Sequence, residues 1–91
     1  MYKIQVMISG DVQGVWFRVS AQDKANELKL TGWVKNLFSN AVEIIAEGER
    51  DSLAVFSGWL TTGPPNATIE KISVEWEELP EKEFSSFEIL K

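Results

Sequence analysis

Alternating apolar and polar positions are the first pattern in this chain, and they predict strands. In residues 2–8 every second side chain is apolar, which is typical of a strand with one buried face. Similar stretches follow, and the short turn Ser39-Asn40 between two of them predicts a β-hairpin. The predicted strands span residues 2–8, 32–38, 42–47, 69–77 and 84–90, with Ile72, Val74 and Trp76 pointing inwards from the fourth.

Apolar residues at helical spacing predict two amphipathic helices. The first covers residues 17–29, where the apolar positions are Phe17, Ala21, Ala25 and Leu28. The second has a core face of Leu53, Phe56 and Leu60. Gly48 is expected to break the preceding strand, and Asp51 or Ser52 is the expected N-cap of this second helix. The sequence Gly63-Pro64-Pro65-Asn66 ends it.

The order of these elements is β-α-β-β-α-β with an extra terminal strand. It predicts the α+β class and the ferredoxin-like split β-α-β sandwich, with both helices on one face of an antiparallel sheet of four to five strands. A chain of 91 residues has room for one two-layer core, so a single domain over residues 1–91 is expected. We expect it to stand alone, as a monomer.

Composition excludes several classes of function. The net charge of −5 disfavours nucleic acid binding, which needs a basic face. The chain has no Cys and no His, which excludes disulfides, thiolate nucleophiles, imidazole bases and Cys/His zinc sites, and leaves only all-oxygen metal sites open. No apolar run approaches the length of roughly 18 residues that a membrane span needs. With no signal peptide pattern at the N-terminus, the expected location is the cytoplasm.

The first candidate site is the glycine-bearing loop over residues 9–15, which separates a strand from a helix. Backbone N–H groups and the helix dipole at such a junction bind anions, above all phosphate. Arg18, in the first helical turn, can add a bidentate contact. Spacing alone favours the alternative of a plain turn with a solvated Arg18, and the loop matches neither the P-loop nor the dinucleotide-binding pattern.

Asn36 is the second candidate, because Asn is disfavoured inside a strand. Its side-chain amide has both a donor and an acceptor, so it can hold a water molecule. The alternative is an exposed polar residue or the first residue of the hairpin turn.

Two motifs together resemble the signatures of the acylphosphatase family. The first is Gly10-x-Val12-Gln13-Gly14-Val15-x-Phe17-Arg18, and the second is Gly32-Trp33-Val34-Lys35-Asn36. The later stretches Gly63-Pro64-Pro65-x-Ala67 and Phe84-x-x-Phe87-x-Ile89 fit the same family, so the resemblance covers the whole chain. The family often has Gly in the hairpin turn, where this chain has Ser39-Asn40-Ala41. Asn40 is therefore expected to take the unusual backbone geometry.

The resemblance implies hydrolysis of the carboxyl-phosphate bond of small acyl phosphates, with neither metal nor cofactor. Carried over by residue, Arg18 binds the phosphoryl oxygens and Asn36 orients the attacking water. The loop that cradles the phosphoryl group comprises Gly10, Asp11, Val12, Gln13, Gly14 and Val15. Family members often hold the active-site Arg with the chain-terminal carboxylate, so a contact between Lys91 and Arg18 stays open. An acyl phosphate has a good leaving group, so its hydrolysis needs neither a strong base nor a general acid. This agrees with the absence of His from the chain.

The main alternative is a non-catalytic phosphate- or ligand-binding regulatory domain of the same fold. The presence of both Arg18 and Asn36 argues against it, because a pure binder needs no amide to orient water. An RNA-binding domain of similar topology is disfavoured by the acidic composition. The acidic residues between 70 and 83 are expected to be a solvated surface rather than a cation site.

Several other residues have open roles. Gln13 is expected to act through its backbone N–H alone, and Lys35 lies either near the substrate or on an exposed strand face. Trp33, Trp59 and Trp76 are expected to be packing residues. Trp16 occupies the variable position of the loop motif, where it either touches the acyl group at the mouth of the site or has no such role.

Overall fold

The computed structural model describes residues 1–14 and 16–90, and its elements follow the predicted order. The elements are β1 Tyr2–Asp11, α1 Phe17–Glu27, β2 Thr31–Leu37, β3 Ala41–Gly48, α2 Arg50–Thr62, β4 Thr68–Glu78 and β5 Phe87–Leu90. The five strands form one sheet in the order β4-β1-β3-β2-β5. Strands β1 and β2 both pair antiparallel with β3, so they run parallel to each other on either side of it. This confirms the predicted ferredoxin-like α+β fold.

Both helices pack on one face of the sheet, as predicted. Their buried residues meet the inward side chains of the central strands in a single apolar core. The helices contribute Phe17, Ala21 and Ala25 from α1 and Leu53, Phe56 and Leu60 from α2, and the strands contribute Ile4, Val6, Ile8, Val34, Val42 and Ile44. No helix in the described part of the chain is long and apolar enough to cross a membrane.

The last strand differs from the antiparallel prediction, because β5 pairs parallel with β2 at the edge of the sheet. The backbone N–H of Gly32 donates to the carbonyl of Ser86 at 2.9 Å. On the helix side, Gln22 Nε2 donates to the carbonyl of Phe87 at 2.9 Å. The sheet is therefore mixed, and β5 is fastened to both β2 and α1.

The ends of β1 and α1 also differ from prediction. β1 continues to Asp11 instead of ending at residue 8, because a bulge after Ser9 lets Gly10 and Asp11 pair with β4. Gly10 has a φ of 136° and lies against the backbone of Thr68, so no side chain fits there. Helix α1 ends at Glu27, two residues before the predicted end.

The predicted N-cap of α2 is wrong. Gly48 is the last residue of β3 rather than a break after it, so the chain turns directly into the helix. Glu49 occupies the N-cap position with extended backbone geometry, and Asp51 lies inside the first turn.

Trp59 and Trp76 pack against aromatic neighbours as predicted, although Trp76 is more exposed than expected, while Trp33 lies outside the core beneath Lys35. Trp59 stacks on Phe56 with ring centroids 6.3 Å apart. Trp76 meets Tyr2 edge to face at 6.3 Å but stays 45% exposed. It lies on the edge strand β4, which leaves one of its sides open to solvent.

Glu47 is a buried carboxylate near the end of β3, only 1% exposed. Its Oε1 accepts hydrogen bonds from the backbone N–H of Glu83 at 2.8 Å and of Phe84 at 3.1 Å. Glu47 therefore fastens the segment between β4 and β5 to the sheet. Because the N–H of Phe84 is used here, β5 begins at Phe87 instead of residue 84.

We expect Glu47→Ala to lower the free energy of unfolding by about 3 kcal/mol, because it leaves the backbone N–H groups of Glu83 and Phe84 without their acceptor. Glu47→Gln keeps an acceptor oxygen at the same place and is expected to lose less. Urea unfolding of both variants, followed by tryptophan fluorescence, measures the difference. An Ala variant as stable as the wild type would contradict this role of Glu47.

Candidate active site

A cavity of about 340 Å³ opens between the loop after β1, the start of α1 and the strand β2. Its size is at the small end of the range for ligand pockets. Arg18 and Asn36, the two predicted catalytic residues, both line it. The other lining residues are Val12, Gly14, Trp16, Phe17 and Val19.

The loop between β1 and α1 has an unusual backbone. Gly14 has a φ of 74° and Trp16 a φ of 61°, both in the left-handed region. A Cβ added to Gly14 would meet nothing within 4 Å, so this glycine is needed for its backbone conformation and not for space. Left-handed residues in a short loop let successive N–H groups converge on one side, which favours an anion there. Val15, also predicted in this loop, lies outside the described residues.

The N-terminus of α1 points to the same cavity. Phe17, buried in the core, fixes the first turn, and Trp16 is the N-cap residue. Within residues 16–27, no side chain caps this helix and the first turn has no acidic residue. The first N–H groups of a helix have no partner inside it, and the helix dipole places partial positive charge there. The arrangement suits a bound anion.

Arg18 is half-buried and extends across the start of α1 towards the end of β5. Its Nη1 donates a hydrogen bond to the carbonyl of Leu90 at 2.9 Å. A guanidinium has five N–H donors, so most of them remain for a ligand in the cavity. The terminal carboxylate of Lys91, a possible partner of Arg18 from the sequence, lies outside the described residues.

Asn36 lies on β2 opposite Val42, on the same face of the sheet as the core residue Val34. Its Oδ1 is buried and has no hydrogen-bond partner in residues 1–14 and 16–90. A buried acceptor without a partner costs free energy, so such an atom usually has a role. Because Asn36 also lines the cavity, its side-chain amide is suited to form a hydrogen bond with a water or ligand there.

Gln13 has a side-chain role that the sequence did not reveal. Its Nε2 donates to the carbonyls of Leu37 at 2.7 Å and Ala41 at 2.9 Å, the two residues that close the β2–β3 hairpin. Leu37 directly follows Asn36, so Gln13 ties the loop to the strand that holds Asn36. The contact joins residues far apart in sequence, and local patterns gave no signal for it.

Other predicted residues lie outside the cavity lining. Gly10 and Asp11 pair with Ile69 and Thr68 of β4 as part of the sheet. Lys35 lies on the opposite side of β2 from Asn36. Its Nζ is 3.9 Å from Oε1 of Glu43 and lies over the ring of Trp33. The structure therefore supports the interpretation of Lys35 as a residue on an exposed strand face.

The hairpin turn agrees with its prediction, while one lining residue was missed. Asn40 takes the left-handed conformation with a φ of 57°, and Ser39 does the same with a φ of 63°.

Val19 was not singled out from the sequence. It lies in the first turn of α1 and lines the cavity together with Trp16 and Arg18. In residues 1–14 and 16–90 no group of three acidic side chains is placed to hold a metal ion.

Comparisons with known proteins agree with this geometry. The family model for acylphosphatase matches residues 4–89. An acylphosphatase of Coxiella burnetii is 50% identical over 94% of this chain and 88% of its own length. One from Methylococcus capsulatus is 43% identical over all of this chain and 98% of its own. The crystal structure of acylphosphatase from Bacillus subtilis superposes with a TM-score of 0.93, at 36% identity and full coverage of both chains. The chain belongs to the acylphosphatase family, whose members hydrolyse acyl phosphates.

Proposed function

We propose that this enzyme binds the phosphoryl group of small acyl phosphates in the cavity at the start of α1 and hydrolyses them there without a metal ion. One observation carries the proposal: Arg18 and Asn36 line the same cavity, and the buried Oδ1 of Asn36 has no hydrogen-bond partner within residues 1–14 and 16–90. A cation beside a buried acceptor gives the two groups that hydrolysis needs, one for the phosphoryl charge and one for the water.

The phosphoryl oxygens are held by Arg18 and by backbone N–H groups. Gly14 and the residues that follow it present those N–H groups, supported by the dipole of α1. Charge on the three equatorial oxygens is stabilised by donors that are already in place, so little reorganisation is needed when the reaction occurs. In this proposal Gly10 and Asp11 support the cradle from β1 instead of touching the substrate, and Val12 anchors the loop in the core.

Asn36 holds the attacking water through Oδ1, which accepts one of its hydrogens and leaves a lone pair free. The water oxygen forms a bond to phosphorus, and the bond between phosphorus and the acyl oxygen breaks. The leaving carboxylate keeps that electron pair, and both protons of the water stay with the phosphate product. A carboxylate is a good leaving group, so the step needs positioning more than acid or base catalysis.

Hydrolysis of acetyl phosphate in the presence of EDTA tests the proposal directly. We expect turnover that EDTA leaves unchanged, and competitive inhibition by inorganic phosphate. A folded protein that binds phosphate without turnover would instead favour the regulatory-domain alternative.

A substitution at Gly14 tests whether the loop after β1 binds the phosphoryl group. We expect Gly14→Val to raise the inhibition constant for inorganic phosphate about tenfold or more, because a β-branched residue is strained at a φ of 74° and turns the loop N–H groups away. Gly58→Val is a suitable control for the added side chain, since a Cβ at Gly58 also meets nothing within 4 Å but lies on α2. Unchanged phosphate inhibition in the Gly14 variant would contradict the cradle.

Gln13 is expected to act as a positioning residue. Gln13→Ala removes both hydrogen bonds to the hairpin, and we expect kcat to fall about tenfold as Asn36 loses its fixed distance from the loop. Gln5→Ala is the control for loss of an amide donor, because the Gln5 amide donates one hydrogen bond between two strands, to Glu43 at 2.8 Å. Equal kcat values for the two variants would show that Gln13 has no special role.

A further inference from the structure

We infer that Trp16 and Val19 form an apolar rim on the cavity and that this rim selects acyl phosphates with an aromatic or large apolar acyl group. The inference rests on the proposed function, since it concerns the part of the same substrate that leaves. Both residues line the cavity together with Arg18.

Exposure is the first argument. Trp16 is 76% exposed and Val19 39% exposed, although both are apolar and lie next to a buried helix start. Trp16 precedes α1 and Val19 lies in its first turn, and both line the same cavity, so the two residues lie at one edge of it. Paired exposed apolar residues at the edge of a ligand cavity gain free energy when an apolar group covers them.

The backbone at Trp16 is the second argument. Its φ of 61° is rare for a bulky residue, and it occupies an N-cap position where Ser, Thr, Asp or Asn is preferred. Trp therefore costs stability at this position in two ways. Strained residues concentrate at functional sites, so this one is best explained by what its ring contacts when a substrate is bound.

Reaction geometry supplies the direction of the acyl group. In-line attack requires the leaving group opposite the water, and the proposed water lies at the buried Oδ1 of Asn36. The acyl group therefore points away from β2 towards the open side of the cavity, where the exposed Trp16 lies. The lining residues that the structure describes include one cation, Arg18, which the phosphoryl group uses. An uncharged apolar acyl group fits this rim better than a second anionic group.

The test compares benzoyl phosphate with acetyl phosphate, which share the phosphoryl group and differ in the acyl group. Four proteins are measured: the wild type, Trp16→Phe, Trp16→Asn and the control Phe38→Asn. Asn tolerates the left-handed backbone, so Trp16→Asn removes the ring without adding strain. Phe38 is an aromatic residue that is 95% exposed on the neighbouring hairpin and outside the cavity lining.

We expect Trp16→Asn to lower the ratio of kcat/KM for benzoyl phosphate to that for acetyl phosphate about tenfold, as loss of apolar contact of this size does in other pockets. Trp16→Phe is expected to retain most of the ratio, and Phe38→Asn all of it. The ratio of the inhibition constants for phenylphosphonate and methylphosphonate should change together with the kcat/KM ratio. This would show that the rim affects binding as well as turnover.

Two results would overturn the inference. One is an unchanged ratio in Trp16→Asn, and the other is an equal fall in Phe38→Asn. Failure of the proposed function looks different, because the wild type would then hydrolyse neither substrate.

Discussion

Arg18→Gln is expected to lower kcat/KM for acetyl phosphate by about a thousandfold or more and to raise the inhibition constant for inorganic phosphate. The substitution removes the cation at the cavity and the forked donor geometry that matches phosphoryl oxygens. Loss of one preorganised donor to developing charge costs about a hundred- to a thousandfold, and here a full charge is lost as well. Steady-state kinetics with phosphate as the inhibitor measure both effects.

Arg18→Lys separates charge from geometry. Lys keeps the positive charge but not the planar fork, so we expect an activity between those of the wild type and the Gln variant. An Arg18→Lys variant as active as the wild type would show that only the charge matters at this position.

A structural explanation for the loss must also be tested, because Arg18 Nη1 holds the carbonyl of Leu90. Gln22→Ala is the matched control: Gln22 lies one helical turn later in α1 and donates to β5 through the carbonyl of Phe87, at the same 2.9 Å. If anchoring β5 were the role of Arg18, Gln22→Ala would lose activity comparably. We expect it to lose only about 1 kcal/mol of stability.

The fold was predictable from the sequence because its central elements have simple patterns. Ile4, Val6 and Ile8 alternate on β1, and Phe17, Ala21 and Ala25 follow helical spacing on α1. Such patterns determine which face is buried, and the element order then favours the split β-α-β topology. The start and direction of β5 were not predictable, because they depend on contacts distant in sequence such as the one from Glu47 to Phe84.

The candidate site was predictable only in part, for a related reason. Arg18 and Asn36 stand in motifs, so the resemblance located both, and the structure brings them to one cavity. Gln13 also stands in a motif, but its side-chain contacts depend on where the hairpin lies in space. Gly10 has its place in the motif for a structural reason, the close approach of β4, which no pattern within the loop reveals.

Asn36→Ala is expected to lower kcat about a hundred- to a thousandfold while the inhibition constant for inorganic phosphate changes less than threefold. Positioning of a nucleophile contributes several kcal/mol to catalysis, and a misplaced water loses much of it. Phosphate affinity depends on Arg18 and the loop, which this substitution leaves in place. The split between kcat and phosphate binding distinguishes Asn36 from Arg18, where both change.

The free energy of unfolding provides a second test of Asn36→Ala, because we expect the variant to lose activity without losing stability. The Oδ1 of Asn36 is buried without a partner in the described part of the chain, and such an atom costs about 1–3 kcal/mol. Its removal should leave the free energy of unfolding unchanged or higher, whereas loss of a structural residue would lower it. Asn26→Ala, an exposed position on α1, is the control for kcat and for urea unfolding. An Asn36→Ala variant that keeps full kcat would refute the water-positioning role. A variant that loses activity only because it is less stable would show that Asn36 is a structural residue. A group retained for catalysis is expected to lower the stability of the fold, not to raise it.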